Sequence, residues 1–129
     1  MAQSGAAYVG SNVKWGGFEG ETNGTSLVDI VPAPAAPVRA RVVHFITTHN
    51  KHSAAVSFTI QKDKNGTKYI LHEQASLGAD QDHELPELAG AVYVLDDTDE
   101  KLQIFLGSSP ASECDVTVSW HDEYLIEGN

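Results

Sequence analysis

The stretch "AVSFTIQKDKNGTKYILHEQ", residues 55–74, decides the fold class. Val56, Phe58 and Ile60 alternate with Ser57, Thr59 and Gln61, the period of a strand with one face in a core. The alternation stops at "DKNG", residues 63–66. Asn-Gly supplies the positive φ angles of a two-residue hairpin turn. A second strand, "TKYILHEQ" (67–74), returns from it. A chain with this unit at its centre is building an antiparallel sheet.

The same reading extends outward. "TSLVDIV" (25–31) alternates loosely, with Leu27 and Asp29 on one face. "PAPAAP" (32–37) cannot donate to a ladder and reads as an extended connection or an edge. "VRARVVHFITTH" (38–49) is the longest strand candidate. Strict alternation puts Val38, Ala40, Val42, His44 and Ile46 on one face, and Arg39, Arg41, Val43, Phe45 and Thr47 on the other. "HNKHSA" is a turn. Residues 75–91 are irregular and polar, with a short strand near 83–85, and "AVYVL" (91–95) is a strand. After the acidic turn "DDTDE" (96–100), "KLQIFLG" (101–107) and "CDVTVSWH" (114–121) read as a closing hairpin pair. No segment carries a helical period. Seven or eight short strands with regular turn signals predict an antiparallel β-sandwich or small barrel.

Residues 1–24 differ in composition. They are rich in glycine and small polar residues, with Tyr8, Trp15 and Phe18 scattered among them. Glycine-rich sequence without a period reads as an extended N-terminal arm. The aromatics imply that it docks on its own domain or on a partner. The expected organisation is therefore an arm over 1–24 and a β-sandwich domain over 25–129.

The whole chain has 129 residues and a formal net charge of −10, from 8 basic and 18 acidic side chains. One domain fits that length. Nucleic-acid binding and adhesion to anionic membranes both need clustered Lys and Arg, so neither partner is expected. The opening residues lack the basic and apolar regions of a signal peptide. The single cysteine, Cys114, excludes an intrachain disulfide, and the expectation is an inert, partly buried thiol.

Candidate chemistry is thin. His44, His49 and His52 are spaced at five and three, with no cysteine or carboxylate to complete a metal set. "DQDHE" (80–84) and "DDTDE" lack the glycine and distal glutamate of a calcium loop. "GSSPAS" is no nucleophile elbow, and "WGGFEG" (15–20) is no phosphate loop. The sequence predicts neither an enzyme nor a cofactor or metal site. Two other classes remain as alternatives: a carbohydrate-binding adhesion module with Trp120 and Tyr124 as a sugar platform, and a cupin-like metalloenzyme.

From residue 25 on, the order of features resembles a class of small tailed-bacteriophage virion proteins. A strand before "HN" is followed by "AVSFTI". A glycine hairpin leads to a tyrosine-containing strand, "TKYILHEQASL". A polar loop precedes "VYVLDDTDEKLQIFLGSS" and a terminal "CDVTVSWHDE". The most specific part is Asp115-Val116-Thr117-Val118-Ser119-Trp120. The match covers about 100 residues and excludes the arm; "VPAPAAP" and "GADQDHELPE" depart from it. The resemblance implies a jelly-roll sandwich, commonly trimeric on capsids. It implies a head decoration (cement) protein on the outer capsid surface, made in the bacterial cytoplasm, with the major capsid protein and its own copies as partners. Tail, neck or fibre-base components of the same type are the alternative. The arm aromatics Tyr8, Trp15 and Phe18 are then the expected partner-binding residues.

Overall fold

The computed structural model describes residues 13–87 and 93–124. Nine strands follow in chain order: β1 Val13–Glu21, β2 Val28–Val31, β3 Val38–Asn50, β4 Val56–Lys64, β5 Thr67–Leu77, β6 Asp82–Leu85, β7 Tyr93–Leu95, β8 Glu100–Leu106 and β9 Cys114–Tyr124. The pairings between these strands are all antiparallel, in two sheets. One sheet runs β1-β9-β3-β6, with β7 also on β3; the other runs β2-β8-β4-β5. Strand β7 pairs with Arg41–Val43 and β6 with Ile46–His49, so together they act as one interrupted fourth strand. Counted that way, each sheet has four strands and the chain crosses between sheets at most connections. That is the two-sheet order of a jelly roll.

The 56–72 hairpin forms as its turn chemistry dictates. Asn65 and Gly66 take φ of 51° and 92°. The closing hairpin expected of residues 101–107 and 114–121 does not form. Strands β8 and β9 lie in opposite sheets and do not pair. Each carries an inward apolar set, Leu102, Ile104 and Leu106 on one, Val116, Val118 and Trp120 on the other. Each set enters the one core cluster from its own sheet, so "GSSPASE" is a crossing between layers. Where it meets the β1–β2 crossing, the Glu113 carboxylate accepts from the Thr22 hydroxyl (2.7 Å) and the Gly24 N–H (2.8 Å). The Cys114 N–H in turn donates to Thr22 Oγ1 at 3.0 Å.

Part of the segment expected as an arm is sheet. Residues Val13–Glu21 pair along their whole length with Glu123–Asp115 as an edge strand of the first sheet. The glycines of "WGGFEG" serve close approach rather than flexibility. A Cβ on Gly16 would stand 2.6 Å from the Trp120 indole nitrogen. Residues 1–12, including Tyr8, lie outside the described residues.

Strict alternation fails in β3 as well. Register shifts lie between Val38 and Ala40 and between Val43 and Phe45. The buried positions become Ala40, Val43, Ile46, Thr48 and Asn50, so Val42 and His44 turn away from the core and Val43 enters it. In β2, Ile30 and Val31 are the buried residues, whereas Leu27 precedes the strand and is exposed. The core between the sheets is one cluster that includes Phe58, Ile60, Leu95, Ile104 and Val116. Among the described residues no helix is long and apolar enough to cross a membrane.

Candidate interaction face

The outer faces of the two sheets differ. On the β2-β8-β4-β5 sheet, polar partners close over one another. Gln61 donates to Gln103 (3.0 Å), Gln103 to Asp29 (2.8 Å), Lys101 to Asp29 (3.1 Å) and Lys68 to Asp63 (2.6 Å). Its exposed apolar residues, Tyr69 and Ile70, sit on the edge strand β5.

The outer face of the β1-β9-β3-β6 sheet presents aromatics. Trp15 on β1 is 65% exposed and Phe45 on β3 is 40% exposed. Beside Phe45 lies a shallow depression that Gly17, Ser119 and Thr117 also line. Gly17 pairs with Ser119, and Ser119 with Phe45, so the depression is a consequence of register. Trp15 pairs with His121, and its ring centroid lies 5.4 Å from that imidazole and 5.0 Å from His44. The β3 bulge turns His44 onto this face. His44 Nε2 then stands 2.5 Å from His121 Nδ1, and His121 Nε2 stands 3.0 Å from Glu123 Oε2.

Lower on the same face, Lys51 bridges Glu21 on β1 and Asp115 on β9. His49 meets Asp82 through Nδ1 (2.5 Å) and Asp80 through Nε2 (3.2 Å). The hydrogen bond to Asp82, with the charges of Asp82, Asp80 and Asp115, raises the His49 pKa above its ordinary value.

The expected arm residues are therefore divided. Trp15 points outward, Phe18 packs against the core cluster, and Tyr8 lies outside the described residues. The spaced trio His44, His49 and His52 does not converge: His49 is taken by aspartates and His52 Nδ1 accepts the Ala54 N–H. Trp120 is no sugar platform, because it is buried with the Arg41 guanidinium 5.1 Å from its ring centre. Cys114 is wholly buried, and burial pushes its thiol pKa up to about 11. Among the described residues no three His, Cys, Asp or Glu side chains form a set able to hold a metal ion. Sequence reasoning missed the His44–His121 approach. The two residues are 77 positions apart, and only the bulge brings them together.

No family model matches the sequence, and no curated protein matches it. Among solved structures, the chain is similar to a chain of the cyanophage Pam1 capsid asymmetric unit. That match has 13% identity and a TM-score of 0.46, covering 88% of this chain and 86% of that one. It is similar to infectious bursal disease virus, Gx strain, at 11% identity and a TM-score of 0.47, over 92% of this chain and 32% of that one. It is similar to PirA at 8% identity and a TM-score of 0.46, over 81% and 92%. Likeness at this level carries no argument about function.

Proposed function

We propose that the chain is a virion structural protein that decorates the outer surface of a bacteriophage capsid, with the major capsid protein as its partner. The observation that supports this reading is Trp15. A large aromatic stands largely exposed on a paired strand, where register and two imidazoles hold it. Such pre-ordered aromatics are the residues that dominate protein–protein interfaces. The opposite sheet closes its outer face with polar pairs, so the two faces are unequal and one is suited to docking. A jelly-roll-like sandwich is also the fold implied by the sequence resemblance, which further implies a homotrimer. Edge strands such as β1 and β5 are natural places for copies to meet.

The test is addition of the protein to undecorated heads, with copies per particle counted by quantitative mass spectrometry. A count that scales with the capsid shell supports decoration; a count matching a single ring moves the protein to the neck or tail. Trp15→Ala should weaken particle binding by at least about tenfold, the scale of an interface hot spot, and leave the melting temperature unchanged. Full occupancy by Trp15→Ala overturns the assignment of this face.

A further inference from the structure

We propose that His44 and His121 form a two-imidazole binding site for a late first-row divalent cation, Cu²⁺ or Zn²⁺, with Glu123 as the positioning residue. The proposal rests on how the six histidines of the chain spend their ring nitrogens. His49 gives both nitrogens to aspartates. His52 Nδ1 accepts a backbone N–H. His72 and His83 stack with ring centroids 4.7 Å apart, but their Nε2 atoms turn to Gln74 and Glu87. Only His44 and His121 aim ring nitrogens at each other, Nε2 to Nδ1 at 2.5 Å.

Glu123 decides the tautomer. With that carboxylate 3.0 Å from His121 Nε2, the tautomer protonated at Nε2 leaves Nδ1 to accept the His44 Nε2–H at 2.5 Å, the proton whose place a bound cation takes. A carboxylate behind a histidine in this way orients metal-binding imidazoles and strengthens them as ligands. His44 presents a second lone pair when its proton resides on Nδ1. Two nitrogens at 2.0–2.1 Å from a tetrahedral ion stand about 3.3 Å apart. The pair must therefore open by less than an ångström, a small rotation of a half-buried ring. The β3 bulge is the backbone device that permits the approach, since bulges re-aim side chains out of register. Imidazole donors suit copper and zinc, and copper binds such sites more tightly.

The experiment is calorimetric titration of the full chain, purified without an affinity tag, with Zn²⁺ and with Cu²⁺, in parallel with tryptophan fluorescence. The expected result is saturable binding of one ion per chain, with Cu²⁺ quenching Trp15 emission. His44→Gln and His121→Gln each abolish the saturable phase. Glu123→Gln weakens it by about tenfold. His49→Gln and His72→Gln retain wild-type affinity, and Trp15→Phe loses the quenching while keeping the calorimetric affinity. Circular dichroism confirms that each variant is folded. Wild-type affinity in both His44→Gln and His121→Gln overturns the proposal, as does the absence of saturable binding to the wild-type chain.

Discussion

Arg41 on β3 and Asp122 on β9 face each other in register and close a two-point ion pair, Nε to Oδ1 at 2.7 Å and Nη2 to Oδ2 at 3.0 Å. The guanidinium also donates to the Pro32 carbonyl and covers the Trp120 ring. One side chain thus ties the proline connection, the central strand pair and the core. Both partners are nearly buried, so removing one strands the charge of the other. Asp122→Ala is expected to cost about 3 kcal/mol in urea denaturation. The double variant Arg41→Met/Asp122→Leu should recover most of that loss, because neither charge is then left without its partner.

Asn50 is buried where β3 ends. Its amide nitrogen donates to the carbonyls of Ala54, Leu77 and Gly78, and its side-chain oxygen accepts the His52 N–H. The residue holds the β3–β4 turn against the end of β5. Asn50→Ala leaves several buried backbone groups without partners and should cost at least about 2 kcal/mol. Asn50→Asp places a carboxylate against carbonyl oxygens and should be worse. Equilibrium unfolding of both variants checks the order.

Gly16 shows why the N-terminal strand was hard to read. The β4–β5 hairpin was legible because its alternation and its Asn65-Gly66 turn are adjacent in sequence. Glycines in "WGGFEG" carry the same compositional signal whether they loosen a chain or let it pack closely, and here Gly16 lies against Trp120. The sheet assignment of β8 and β9 was equally hidden, because an inward apolar set does not say which strand lies beside it. The His44–His121 pair depends on a bulge, and a bulge leaves no mark in an apolar–polar pattern. Gly16→Val follows from this packing. The new side chain meets an indole already pinned by Arg41, and a loss of about 1–3 kcal/mol is expected from overpacking, read as a lower melting temperature.

The His49 ion pairs give stability a defined pH dependence. Asp82 and its neighbours raise the folded-state pKa above the ordinary 6.5. A raised histidine contributes stability that is fully present below the unfolded pKa and is lost as pH rises through the folded value. The difference in stability between wild type and His49→Gln should therefore be largest below about pH 6.5 and shrink above the folded pKa. An NMR titration of the His49 ring locates that upper limit, which must lie above 6.5.

Cys114 should resist modification in the native protein. Its thiol is buried, its pKa is pushed up to about 11, and its sulfur faces Asn50 Oδ1 at 3.9 Å. At neutral pH almost no thiolate forms, and the thiolate is the reactive species. Labelling by a thiol-specific reagent should follow global unfolding, with its rate rising in step with denaturant. Fast labelling of the native chain contradicts this packing.

Truncation separates the two roles that residues 1–24 were expected to share. The first described strand begins at Val13, so removing residues 1–12 leaves every described pairing in place. Removing residues 1–20 takes away most of β1, leaves Trp120 without Gly16 over it, withdraws Phe18 from the core and turns β9 into an unpaired edge. The shorter deletion should keep the wild-type melting temperature, and the longer one should lower it and promote aggregation through the exposed edge. Particle binding then tests Tyr8 apart from Trp15. A loss of occupancy on removing residues 1–12 assigns docking to the segment that carries Tyr8. Unchanged occupancy leaves it with the sheet face on which Trp15 stands.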